Sequence, residues 1–141
     1  MGVAVKRVYE KAVSSDGVRV LVDRLWPRGL KKEDAAVKLW LRDLAPSTEL
    51  REWFHANPDG WRFFRKRYLR ELISLEANAA LEKLYALAAS GKKLTLLYAS
   101  RNEERNNATV LKELLEGARK PPSSVGRARA GSGRTRKAKK Q

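Results

Sequence analysis

The chain has 141 residues, a formal net charge of +15, 43% hydrophobic residues and no cysteine. That length supports one domain with one core, and the missing cysteine excludes disulfides, thiolate metal sites and cysteine nucleophiles. No apolar run approaches the ~20 residues that a bilayer span requires, and residues 1–7 lack an apolar h-region, so a soluble, cytoplasmic protein without a membrane partner is expected.

Taken in chain order, residues 3–9 read as a first strand and 18–25 as a second. Ser14-Ser15-Asp16-Gly17 supplies turn chemistry between them, so the two are expected to pair as a hairpin. Residues 31–36 suit a short helix, and 37–41 alternate apolar and polar side chains as a short strand does. Pro46-Ser47-Thr48-Glu49 is a helix start, a hydroxyl cap followed by an acid in the first turn, and that helix offers Leu50, Trp53 and Phe54 to a core. Pro58-Asp59-Gly60 interrupts the chain. From Trp61 the spacing becomes helical, with Trp61, Phe64, Tyr68 and Leu72 on one stripe and Arg62, Arg65, Lys66 and Arg70 around it.

A further helix carries Leu81, Leu84, Tyr85 and Ala88 and stops at Gly91. Residues 94–99 are continuously apolar, the pattern of a central strand covered on both faces. A last helix buries Val110, Leu111, Leu114 and Leu115 and ends at Gly117. This order predicts an α/β domain over residues 1–118, with a small mixed or mostly parallel sheet flanked by helices.

Nine of the fifteen excess positive charges fall in residues 119–141, which contain no acid, leaving +6 for residues 1–118. That segment is rich in Pro, Ser, Gly and Ala and has one large aliphatic, Val125, so a disordered basic tail is expected. Such arms bind phosphate backbones without sequence preference and with steep salt dependence, which makes nucleic acid, held by the tail together with surface arginines of the helices, the alternative partner. The tail has no interleaved aromatics to stack on bases, and it reads equally well as a solubilising extension.

Two stretches carry candidate chemistry. Asp23-Arg24-Leu25-Trp26-Pro27-Arg28-Gly29 ends the second strand with a carboxylate, two guanidinium groups, an indole and a Pro-x-Gly turn. Tyr98-Ala99-Ser100-Arg101 ends the buried strand with a phenol, a hydroxyl and a guanidinium, and Asn106-Asn107 opens the helix that follows. If these strands lie side by side and parallel, Arg24, Arg28 and Arg101 converge with a helix N-terminus, an arrangement suited to phosphate or carboxylate. The expected ligand-binding residues are therefore Asp23, Arg24, Trp26, Arg28, Tyr98, Ser100, Arg101, Asn106 and Asn107, with a small anionic molecule as ligand. Asp23 would orient an arginine or act as a base, and Trp26 or Tyr98 would stack on the organic part of the ligand.

The same residues have a purely architectural reading. In it Asp23 pairs with Arg101 or Arg24, Trp26 and Pro27 close the core edge, and Asn106 only caps. His55 is the lone histidine, either an acid–base group or a residue at a helix end interacting with the dipole. No metal site, Walker loop or dinucleotide fingerprint is present, and no cofactor is called for.

The combination of 23–30, Leu39-Trp40-Leu41, Ala45-Pro46-Ser47, Trp53-Phe54-His55, Leu96-Leu97-Tyr98-Ala99 and Asn106-Asn107-Ala108 resembles the YeaO-like family, a domain of unknown function numbered 488. The resemblance covers residues 3–116 and leaves the basic tail outside. It implies a small α/β domain found in bacteria and archaea, with no established reaction. Longer members of the superfamily carry Cys-x-Glu…Cys-His-Arg where this chain has Tyr98-x-Ser100…Asn106-Asn107-Ala108. The resemblance therefore implies loss of that thiol and imidazole and leaves a polar anion-binding crevice without an obvious nucleophile, so binding, with or without slow turnover, is the expectation.

Overall fold

The apolar run at 94–98 lies at the centre of a four-stranded sheet in the computed structural model, which describes residues 2–117. The strands are β1 (Val3–Arg7), β2 (Val18–Leu21), β3 (Leu39–Trp40) and β4 (Leu94–Tyr98), in spatial order β1-β4-β2-β3, and every pair is parallel. Five helices accompany them: α1 (Lys32–Ala35), α2 (Thr48–Ala56), α3 (Trp61–Glu71), α4 (Leu75–Ala89) and α5 (Asn107–Gly117). The architecture is the expected α/β layered domain.

The expected hairpin does not form. β4 separates β1 from β2 and runs parallel to both, with Val5 and Val20 each opposite Leu96. Every residue of β4 is buried, so placing it at an edge would leave a row of ladder groups unpaired beneath apolar cover. Inserting it between two strands satisfies both of its edges. Gly17 (φ +67°) makes this possible at the start of β2, where Val18 donates its N–H to the Lys93 carbonyl at 2.9 Å. A Cβ on Gly17 would lie 2.3 Å from that same carbonyl oxygen.

Strand alternation sorts the core into two layers. Val20, Leu96 and Tyr98 face the larger layer, with Phe64, Tyr68, Leu84 and Leu111 from the helices. Leu21 and Leu97 face a thinner layer with Val8 and Ala35, edged by Trp26, Leu30, Val37 and Trp40.

Beside the thinner layer lies a buried charge network. Asp16 accepts from Lys6 Nζ at 3.0 Å, from Arg19 Nη1 at 2.7 Å and from the Val13 N–H at 3.1 Å. Arg19 also donates to the Ala35 carbonyl through Nε (3.1 Å) and Nη2 (2.8 Å). Burial pushes the Asp16 carboxyl up, but the Val13 amide, Lys6 and Arg19 outweigh it and hold the group below its ordinary value.

The helix starts follow their sequence signals. The hydroxyls of Ser47 and Ser74 accept from the amides of Leu50 (3.1 Å) and Ala77 (3.3 Å) at the N-termini of α2 and α4. Glu71, at the end of α3, accepts from the Ser47 N–H at 2.8 Å and the Ser47 hydroxyl at 2.6 Å, tying α3 to the start of α2. Among the described residues no helix is long and apolar enough to cross a membrane. The expected basic tail lies outside the described residues.

Candidate functional site

β2 and β4 are neighbours, but the chain leaves them toward opposite faces of the sheet. After β4 it enters α5, whose Ala108, Val110 and Leu111 join the larger core layer. After β2 it enters a loop and then α1, which bring Trp26, Leu30 and Ala35 to the thinner one. A parallel sheet opens a crevice where neighbouring strands part in this way, outside their carboxyl ends.

The opening can be followed bond by bond. Val22 donates to the Leu97 carbonyl at 3.1 Å, the last backbone bond of the β2–β4 ladder. The next rung would join the Ala99 N–H to the Val22 carbonyl. It is replaced by two side chains. Asp23 Oδ2 accepts from the Ala99 N–H at 2.8 Å, and Asn107 Nδ2 donates to the Val22 carbonyl at 2.9 Å and to Asp23 Oδ1 at 3.1 Å. Asp23 and Asn107 thus stitch the gap that the diverging strands leave. Trp40 Nε1 holds the Asp23 carbonyl from the far side at 2.7 Å.

Burial raises the Asp23 carboxyl above its usual range, while the Ala99 amide, Asn107 and the nearby charge of Arg51 pull it back. Among the described residues Asp23 forms no ion pair, so neither Arg24 nor Arg101 is its partner. The cation it senses is Arg51 of α2, a residue with no motif to mark it.

Asn106 caps α5. Its Oδ1 accepts from the Thr109 N–H at 3.0 Å, its own N–H donates to Thr109 Oγ1 at 3.2 Å, and its Nδ2 donates to the Asn102 carbonyl at 2.8 Å. Tyr98 is 2% exposed, and its hydroxyl pairs with the Asn106 side chain. Burial, followed by Glu103 and Glu10, raises that phenol above its ordinary value, with Arg7 and Asn106 opposing. The N–H groups of Asn107 and Ala108, the first turn of α5, have no acceptor among the described residues, as helix starts leave them.

Trp26 donates Nε1 to the Leu30 carbonyl at 2.7 Å and meets Trp40 edge to face at 5.5 Å, closing the thinner core layer. Arg24 donates to the Ala45 carbonyl at 3.3 Å and lines a cleft of about 400 Å³ that it shares with the carboxylates Asp43, Glu71 and Glu76. Arg28 and Arg101 are exposed, and their guanidinium groups have no partner among the described residues. Ser100 is exposed and accepts from the Asn102 N–H at 3.2 Å. His55 stands exposed in the last turn of α2.

Arg7, at the end of β1, joins these loops although nothing in its sequence context marks it. Its Nε donates to the Ser100 carbonyl at 3.0 Å and its Nη2 to the Ala99 carbonyl at 2.9 Å. The guanidinium lies 5.0 Å over the Tyr9 ring, and the Tyr9 hydroxyl donates to the Arg28 carbonyl at 3.0 Å. Residues 28 and 100 are therefore linked through Tyr9 and Arg7 along one edge of the sheet. Among the described residues no cluster of histidine and carboxylate side chains could hold a metal ion.

Residues 2–130 match the model of a family described as "Inactive DUF488-N3 subclade". The match continues past residue 116, where the motif resemblance stops, into the basic segment. The chain is 46% identical over 115 residues to uncharacterized protein YeaO of Escherichia coli (strain K12), covering 82% of this chain and 97% of that protein. It is 45% identical over 115 residues to uncharacterized protein Rv3073c of Mycobacterium tuberculosis and to uncharacterized protein Mb3100c of Mycobacterium bovis, covering 82% of this chain and 94% of each relative. No solved structure matches. The chain belongs to the DUF488 family, in the N3 subclade that carries the description inactive.

Proposed function

We propose that this protein is a binding domain without covalent chemistry, and that it takes a small phosphate- or carboxylate-bearing ligand in the crevice outside the carboxyl ends of β2 and β4. The observation that carries this reading is the replaced rung. The two strands part there, and the first N–H groups of α5 stand beside the gap without acceptors, at the positive end of the helix dipole. Arg28, Arg101 and the Ser100 hydroxyl supply the exposed contacts. Asp23, Tyr98, Asn106 and Asn107 are engaged with one another or with backbone and shape the wall behind. The absence of cysteine from the chain and the position of its one histidine on α2 support binding without a nucleophile, as does the family's description as inactive.

Thermal-shift titration with inorganic phosphate and with a panel of anionic metabolites tests this reading. A bound ligand raises the melting temperature in proportion to its saturation. The expected result is stabilisation of the wild type that is lost in Arg28→Ala and Arg101→Ala. Equal stabilisation of all three proteins by every hit would overturn the crevice assignment.

A further inference from the structure

The outward face of α3 is strongly basic. The helix WRFFRKRYLRE holds five basic residues and one acid. That acid, Glu71, is committed to Ser47, and Arg65 is committed to Glu113 at 2.6 Å. Arg62, Lys66 and Arg70 recur every four residues and are all exposed, and none has a partner among the described residues. Like charges at this spacing repel one another and destabilise a helix. A free surface would be expected to intersperse carboxylates, and α3 itself places none among these three cations.

The face also carries an aromatic platform. Phe63 is 45% exposed on the same side of the helix. Its ring lies 4.5 Å from that of Trp53 on α2, and Arg67 lies 5.6 Å over it. Trp53 is fixed from behind by close packing on Gly60, where a Cβ would come within 2.3 Å of the indole.

We propose that this face binds single-stranded nucleic acid, with phosphates on Arg62, Lys66 and Arg70 and a base stacked on Phe63. Cations along the path of the backbone with an aromatic among them suit a single strand, because every base offers a π-face. A duplex hides its bases, and a membrane surface would want a stripe of exposed apolar residues where this face has one ring. The chemistry is independent of the crevice, since none of these residues lies at the strand ends.

Fluorescence anisotropy of a labelled oligo-dT of about 20 nucleotides, with the full-length chain, tests the proposal across a salt series. The variant R62Q/K66Q/R70Q is expected to bind more weakly and to reduce the slope of log K against log salt by about 2, near 0.7 for each lost phosphate contact on a single strand. Phe63→Leu keeps apolar packing on Trp53 but removes the ring, and it is expected to weaken binding about tenfold with the slope unchanged. Melting curves establish that each variant is folded. Wild-type affinity and slope in the triple variant would overturn the proposal and assign polyanion binding elsewhere, such as residues 119–141. Full affinity in Phe63→Leu, or displacement of the oligonucleotide by poly-glutamate at equal charge, would also overturn it, because the face would then read charge alone.

Discussion

Asn107 and Asp23 are 84 residues apart in the chain, yet one side-chain nitrogen of Asn107 serves both the Asp23 carboxylate and the Val22 carbonyl beside it. The pair closes the point where β2 and β4 separate, so it couples the start of α5 to the end of β2.

Asn107→Ala leaves a buried carbonyl and a half-satisfied carboxylate, and the expected loss is about 2 kcal/mol. In a domain of this size that lowers the melting temperature by roughly 8 °C. Asn107→Asp sets a second carboxylate against Asp23 and is expected to be worse at neutral pH, then to recover as the pH falls and one of the two protonates. A penalty independent of pH would show that the two groups do not face each other.

Asp16 and Asp23 are shifted in opposite directions, which separates their effects on stability. The folded state lowers the Asp16 pKa, so its contribution is present above the unfolded value near 3.9 and is lost as pH falls through the folded one. Asp16→Asn strands Arg19 and Lys6 and is expected to cost about 3 kcal/mol at pH 7, a gap that closes as the pH falls through the lowered Asp16 pKa. The folded state raises the Asp23 pKa, so its contribution is complete below the unfolded value and is lost as pH rises through the folded one. Urea unfolding across pH should show that loss in the wild type and not in Asp23→Asn.

Two glycines with positive φ make a controlled comparison. Gly91 (φ +87°) has open space where a Cβ would stand, so Gly91→Ala should cost about 1 kcal/mol from backbone strain alone. At Gly17 the obstacle is the backbone of Lys93, which cannot swing aside without breaking the register of β4. Gly17→Ala is expected to lose well over twice as much, and equal melting temperatures would refute the close approach.

Arg7→Lys keeps the charge but not the fork that spans the Ala99 and Ser100 carbonyls. Global stability should change by less than about 1 kcal/mol, because the site is only partly buried. The thermal-shift response to an anionic ligand should fall, since the 99–101 turn loses its anchor. An unchanged response with an intact fold would detach Arg7 from the crevice.

Local patterns were legible wherever a short window holds the whole signal. The Ser47 cap, the stripe Trp61, Phe64, Tyr68 and Leu72, and the buried run at 94–98 each declare themselves within a few residues, because helix and strand periodicity act over one or two turns. The two strand ends at Asp23 and Tyr98 were likewise visible as places where apolar segments open into polar ones. The hairpin expectation failed because turn residues between two strands do not specify whether a third strand will come between them.

Composition and periodicity by themselves determined the class of the domain, its principal helices and the pair of stretches that meet at the sheet edge. The tertiary structure decided which groups do what there. Asp23 holds the Ala99 amide and not an arginine, Asn107 replaces a backbone donor, Arg24 lines a separate acidic cleft, and Arg7 binds the loops together. The assignments of Asp23, Asn107 and Arg7 rest on hydrogen bonds between residues 76 to 93 positions apart, and such partners exist only once β4 has entered the sheet between β1 and β2.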